Sequence, residues 1–304
     1  MFINASFRTD IVANYSEWFM NRIREEYVLV RNPYYQTKVS KYQLTPDVVD
    51  CLIFCTKNPE PMLPHMKELK ELGFSVYFFV TITGYGTDIE PRVPEYHKVM
   101  KSFAELSEVV SMDNVGWRYD PILITPKYTT DFHLKCFEEM ASTLARYTKY
   151  CIFSFVQKYK KLEYTFPELR TVTSEEKDVL LKGMSEIAKK KGLKLQTCGD
   201  GSNYSQYGIQ QSGCITAELM EQAIGKQLKA LQPKPNREGC GCLHSNDIGL
   251  YDTCPNGCRY CYANKNQAAA MENYRRHDPS SPLLLGNVSP LDNISKSKQV
   301  SFLL

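Results

Sequence analysis

The sequence predicts an α/β fold, a partial (β/α)6-type parallel barrel, and two observations predict it. Short, nearly all-apolar runs alternate with amphipathic runs over about the first 200 residues. Strands of that kind, separated by helices, belong to a parallel sheet covered on both faces. Polar residues also collect just past the end of each apolar run, where parallel α/β folds bind ligands. Six βα units in that length suit an open or partial barrel better than a full eight-stranded one, with a doubly wound sheet as the competitor.

The elements follow in order. Strands are expected at 2–7 (FINASF), 50–56 (DCLIFCT), 75–83 (SVYFFVTIT), 115–120 (VGWRYD), 151–156 (CIFSFV) and 193–198 (LKLQTC). Helices are expected near 14–26, 60–72, 95–110, 130–147 and 174–191. The last of these opens with Thr173 and Glu176 at capping-box spacing and closes on Lys189, Lys190, Lys191 and Gly192. Residues 27–44 read as a β-hairpin inserted between the first two units. After residue 200 the alternation stops: a Gly/Ser/Gln-rich loop leads to one helix near 216–231. A stretch rich in Pro, Gly, Asn and Cys follows, which needs a metal or a neighbouring surface to order it. The organisation is therefore a barrel over 1–215, a helix and cysteine-rich segment over 216–286, and a loosely ordered tail over 287–304.

Composition narrows the function. A formal net charge of +3 is too weak to argue for nucleic acid or a membrane surface. No apolar run reaches membrane length and the first residues lack the pattern of an export signal, so the expected setting is the cytoplasm, with no membrane partner. There the eleven cysteines point to metal ligation rather than disulfides.

At the strand ends, Lys57 and Asn58 stand directly before Pro59, and Arg118 and Asp120 directly before Pro121. With Thr83, these are the candidate ligand-binding residues. A polar loop residue is as often merely solvated, and it is recurrence at six ends that carries weight.

Seven cysteines lie between residues 198 and 261. Cys254, Cys258 and Cys261 form a C-x3-C-x2-C triplet with Tyr260 inside it. Soft thiolates select zinc, copper(I) or iron–sulfur centres. Structural zinc prefers four ligands, whereas three thiolates on one loop suit three irons of a cubane and leave the fourth open. Cys198, Cys214, Cys240 and Cys242 make a further set, a candidate second iron–sulfur cluster or zinc site, with free loop thiols as the plain reading. Cys51, Cys55, Cys136 and Cys151 sit in apolar contexts and read as small buried hydrophobes. Tyr260 packs either on a cofactor or in the core.

The triplet with its aromatic residue resembles the cluster loop of the radical S-adenosylmethionine superfamily. The string GCRYCYAN (257–264) is most similar to the spore photoproduct lyase and DNA-photolyase-like branch. Over residues 1–286 the chain also resembles an uncharacterised bacterial family of unknown function, through RTDIVANYSEWFMNRI, CTKNP, WRYDP and HDPSSPLL. In the superfamily the triplet normally follows the first barrel strand, and here it comes last. A C-terminal cluster is also found in the thiamine-pyrimidine synthase type. The resemblance thus implies a C-terminal segment folded over the C-terminal strand edges. It implies a 4Fe–4S cluster on Cys254, Cys258 and Cys261, and S-adenosylmethionine cleaved to a 5′-deoxyadenosyl radical that abstracts hydrogen from an unknown substrate. Lys57 or Arg118 would hold the methionyl carboxylate, and Asp120 the amino group or a ribose hydroxyl. The electron would come from a small donor protein of flavodoxin or ferredoxin type. The alternatives are a zinc-stabilised binding module and a nucleic-acid repair protein using the basic stretch 146–161.

Overall fold

Eight strands, all paired in parallel, form one sheet in a computed structural model that describes residues 1–199, 201–234 and 240–304. The chain contributes β1 (Phe2–Asn4), β2 (Tyr27–Arg31), β3 (Lys38–Gln43), β4 (Cys51–Thr56), β5 (Val76–Thr81), β6 (Val115–Ile122), β7 (Tyr150–Phe155), β8 (Lys194–Thr197), β9 (Gln210–Gln211), β10 (Ser245–Asp247) and β11 (Asn293–Lys296). The sheet order is β10-β1-β4-β5-β6-β7-β8-β9. From β1 to β9 it advances in one direction, without the reversal of strand order that marks a doubly wound sheet.

Side-chain alternation builds the two faces. Leu52 and Phe54 of β4, Val76, Phe78 and Val80 of β5, and Cys151 and Phe153 of β7 share one core with the helices Tyr96–Val110, Thr130–Leu144 and Ser174–Lys191. Their neighbours Cys51, Ile53, Tyr77, Phe79 and Ile152 join Cys198, Cys214, Ile215, Met220, Cys242 and Leu243 in a second core. Residues 214–220 and 242–243 therefore cover the face that the long helices leave.

Local chemistry sets the element ends. The helix Ser174–Lys191 carries the expected capping box, and Gly192 closes it in the left-handed region. The expected helix 60–72 begins instead as a 3-10 turn, Glu60–His65, and turns α-helical at Met66, because Pro61 and Pro64 lack the N–H that an α-helical turn needs. The helix expected near 216–231 stops at Ile224, where Gly225 takes φ 72°. The strand expected at 2–7 ends at Asn4.

Three further expectations are corrected. The sheet has eight strands rather than six, because β9 and β10 lie in the stretch read as loop; strands of two and three residues carry no periodicity to detect. β10, from the 216–286 segment, pairs with β1 inside the same sheet. The tail is not loose: β11 adds to the free edge of the β2–β3 hairpin. Arg31 grips Asp292, and the Phe302 N–H donates to Asp50 at 2.7 Å.

One buried group makes stability pH-dependent. His133 is fully buried. Its Nε2–H donates to the Leu123 carbonyl at 2.8 Å and its Nδ1 accepts from the Tyr119 hydroxyl at 2.8 Å, so the ring is neutral. Burial lowers its pKa from 6.5 to about 4. A depressed folded-state value means stability is fully present above pH 6.5 and falls as the pH drops toward 4, by on the order of 3 kcal/mol. Urea unfolding across that range should show the loss, and His133→Gln should flatten it; an unchanged slope in the variant would rule His133 out.

Candidate functional site

The C-terminal ends of the parallel strands open into one cavity of about 740 Å³. Its wall takes Cys55 to Lys57 from the end of β4, Thr81 from β5, Arg118 and Asp120 from β6, Ser154 from β7, Cys198 just past β8 and Asp247 from β10. β6 carries a register shift between Tyr119 and Ile122, and such irregularities commonly re-aim side chains beside sites.

The triplet loop closes over these strand ends, with Cys254, Cys258 and Cys261 in the wall. Contacts from distant parts of the chain hold it. Arg92 donates to the carbonyl oxygens of Pro255 and Asn256 at 3.1 Å, and the Arg259 N–H donates to the Ile89 carbonyl at 3.0 Å. Lys161 donates to the carbonyls of Cys261 and Asn264, Tyr15 to that of Thr253, and Tyr262 to that of Phe7. Asn264 ties the loop to itself through the Cys254 carbonyl at 2.7 Å. A loop bound at so many backbone carbonyls has little freedom to leave the rim.

Two ion pairs dominate the wall. Lys57 Nζ lies 2.8 Å from Glu90 Oε1, with the glutamate side chain 3% exposed. Thr83 donates to the same oxygen at 3.0 Å, and so does Tyr260, whose ring faces the lysine ammonium at 5.6 Å. Burial works against the Lys57 charge, but the carboxylate of Glu90 outweighs it, and its pKa stands above the ordinary lysine value. Arg118 Nη2 lies 2.6 Å from Asp120, which Ser154 also contacts, while Arg118 Nη1 is 3.2 Å from Cys214 Sγ. Arg118 too stays charged despite burial, held first by Asp120.

Burial pushes the Cys254 thiol up to about 12 and Cys258 well above its usual range. Without a metal these thiols stay protonated at neutral pH, so a metal must displace their protons. Among the described residues, no three Cys, His, Asp or Glu side chains stand ready to hold a single metal ion. The corners of a cubane lie farther apart than the ligands of one ion; a 4Fe–4S cubane is ordinarily held by four thiolates, and three leave one iron open.

The sequence-predicted residues separate into two groups. Lys57, Arg118, Asp120, Tyr260 and the cysteines 198, 214, 240, 242, 254, 258 and 261 share the cavity. Asn58 and Thr83 do not line it. Asn58 caps the next turn, accepting from the Glu60 N–H at 3.2 Å, and Thr83 stands behind the wall on Glu90. Both cations expected to receive a carboxylate already carry one. Of the other cysteines, Cys51, Cys136 and Cys151 are buried, and Cys55 reaches the cavity. The apolar middle of the basic stretch 146–161 is the buried strand β7, and its basic residues flank that strand.

Sequence reasoning missed Glu90 and Asp10. Asp10 accepts from the N–H groups of Lys57 at 2.8 Å and Ala13 at 3.0 Å, and its burial raises its pKa. Its place in the polar Arg8-Thr9-Asp10 strand end was the available signal; Glu90 lies in a loop with none.

A family model described as a domain of unknown function (DUF1848) matches residues 2–263. The chain belongs to that family. The match takes in all of the cavity's strand ends and closes just past Cys261, so the triplet loop lies within the DUF1848 region. Comparison with curated proteins gives no match. Among solved structures, the crystal structure of a putative alpha-L-fucosidase from Bacteroides thetaiotaomicron is similar at 9% identity and a TM-score of 0.28, over 75% of this chain and 83% of that one. A likeness that slight carries no argument.

No helix among the described residues is long and apolar enough to cross a membrane.

Proposed function

We propose that the chain is a radical S-adenosylmethionine enzyme on a partial barrel, with Cys254, Cys258 and Cys261 holding a 4Fe–4S cluster. The observation that carries the reading is the placement of a C-x3-C-x2-C thiol triplet, late in the sequence, on the same cavity as the C-terminal strand ends. One-way strand order from β1 to β9 supports the barrel, and Asp247 of the edge strand β10 and Cys198 beside β8, next to the opposite edge, line the one cavity. When bound, the cluster and S-adenosylmethionine supply one-electron chemistry that removes a hydrogen atom from a substrate.

The chain's own residues bind, orient and exclude water. A cavity of about 740 Å³ is of the size that encloses a cofactor-sized ligand with room beside it. Lys57 and Arg118 present charge-assisted donors for the methionyl carboxylate, and because Glu90 and Asp120 already neutralise them, the carboxylate shares rather than captures each cation. Asp10 and Asp120 present acceptors for an ammonium or a ribose hydroxyl. Tyr260 offers its ring as a packing surface while its hydroxyl stays on Glu90. The electron comes from a small flavodoxin- or ferredoxin-type protein in the cytoplasm.

Purification without oxygen tests the reading. The expected sample is brown, with thiolate-to-iron absorption, and releases 5′-deoxyadenosine from S-adenosylmethionine on reduction with dithionite. A colourless protein that carries zinc on the triplet and leaves the cofactor intact would replace this proposal with the zinc-stabilised module.

A further inference from the structure

The four cysteines outside the triplet come from three separate stretches of chain, and they meet. Cys198, Cys214 and Cys242 are buried in one core, Cys240 packs against it, and all four line the same cavity.

The backbone is shaped to allow this. Two Gly-Cys steps, Gly213-Cys214 and Gly241-Cys242, lie back to back: a Cβ on Gly213 would stand 2.4 Å from the Gly241 carbonyl oxygen and 2.7 Å from the Cys242 nitrogen. No side chain is tolerated at that distance, so glycine is what lets the two cysteine-bearing segments approach. The Leu243 N–H donates to the Ile215 carbonyl at 2.8 Å and locks them together. Cys242 Sγ accepts from the N–H of Cys214 at 3.1 Å and of Ile215 at 3.5 Å. Backbone donors on a cysteine sulfur, and Arg118 at 3.2 Å from Cys214 Sγ, are the outer contacts that stabilise thiolate ligands.

We infer that Cys198, Cys214, Cys240 and Cys242 form a second metal centre, separate from the triplet, that holds one tetrahedral thiophilic divalent ion of the zinc type. Zinc–sulfur bonds near 2.3 Å put ligand sulfurs about 3.8 Å apart. Four cysteines are the ligand set that structural zinc takes. The four do not stand ready to clasp an ion without moving, so binding draws the sulfurs inward and releases any thiol protons. The site does not depend on the radical reading of the triplet.

Cobalt(II) titration of the full-length apo-protein carrying Cys254→Ala, Cys258→Ala and Cys261→Ala reads this site alone. The expected result is one cobalt per chain, with near-ultraviolet thiolate charge-transfer bands and visible tetrahedral bands, displaced by one equivalent of zinc. Cys214→Ser in that background should weaken binding at least ~10-fold. Elemental analysis of the anaerobic wild-type chain is the second measurement, independent of any variant's folding, and should find one zinc per chain beside the triplet's iron. Cobalt giving no tetrahedral thiolate bands, the Cys214→Ser protein keeping them at full affinity, or reconstitution building a cubane on these four residues would each overturn the inference.

Discussion

Cys258→Ala is expected to abolish reductive cleavage of S-adenosylmethionine, with 5′-deoxyadenosine falling to the level of a protein-free control. Cys254→Ala and Cys261→Ala should do the same. The effect is total rather than graded because three thiolates are the fewest that hold three corners of a cubane and leave the fourth for a ligand. The loop itself should survive the change, since its anchors are carbonyl bonds from Arg92, Lys161, Tyr15 and Tyr262 rather than the thiols. Circular dichroism and iron content separate the two failures: a folded, iron-poor, inactive variant is the expected outcome. A Cys258→Ala protein that still cleaves the cofactor would remove the triplet from the chemistry.

The second large effect is on stability. Lys57→Ala strands Glu90, whose side chain is 3% exposed, without its cation. Removing one partner of a buried pair typically costs about 3–5 kcal/mol, because the remaining charge is left uncompensated. Thr83 and Tyr260 still donate to Glu90 and soften the loss, so the lower end of that range is expected. Pairing Lys57→Met with Glu90→Gln removes both charges and should recover most of the stability. The same double variant should still bind S-adenosylmethionine at least ~10-fold more weakly, since a charge-assisted donor is gone. Urea midpoints and equilibrium binding read the two effects separately. Equal destabilisation by the single and double variants would show that the ion pair is not what the wall depends on.

The amphipathic helices and the strands β4 to β7 were legible because each strand is long enough to show its period, and the helices Tyr96–Val110, Thr130–Leu144 and Ser174–Lys191 carry side-chain N-caps. Ser174–Lys191 matched to the residue, since Thr173, Glu176 and Gly192 are local signals that need no tertiary partner. β9, β10 and β11 were not legible for the opposite reason. Each has two to four residues, and each is a strand only because a neighbour offers an unpaired ladder.

The same division runs through the site. The sequence alone determined which groups could carry chemistry: the spacing of Cys254, Cys258 and Cys261, the four further thiols, and the polar residues that end each apolar run. Only the tertiary structure decided which of them meet. It placed Lys57, Arg118 and Asp120 in the cavity wall and left Asn58 and Thr83 out of it. It supplied Glu90 as the partner of Lys57, and brought the backbone at Gly213 against that at Gly241, setting Cys214 beside Cys242. The physical reason is that thiol chemistry and local propensity belong to residues and their near neighbours, whereas ion pairing, backbone approach and burial depend on distances between segments, which exist only once the chain has folded.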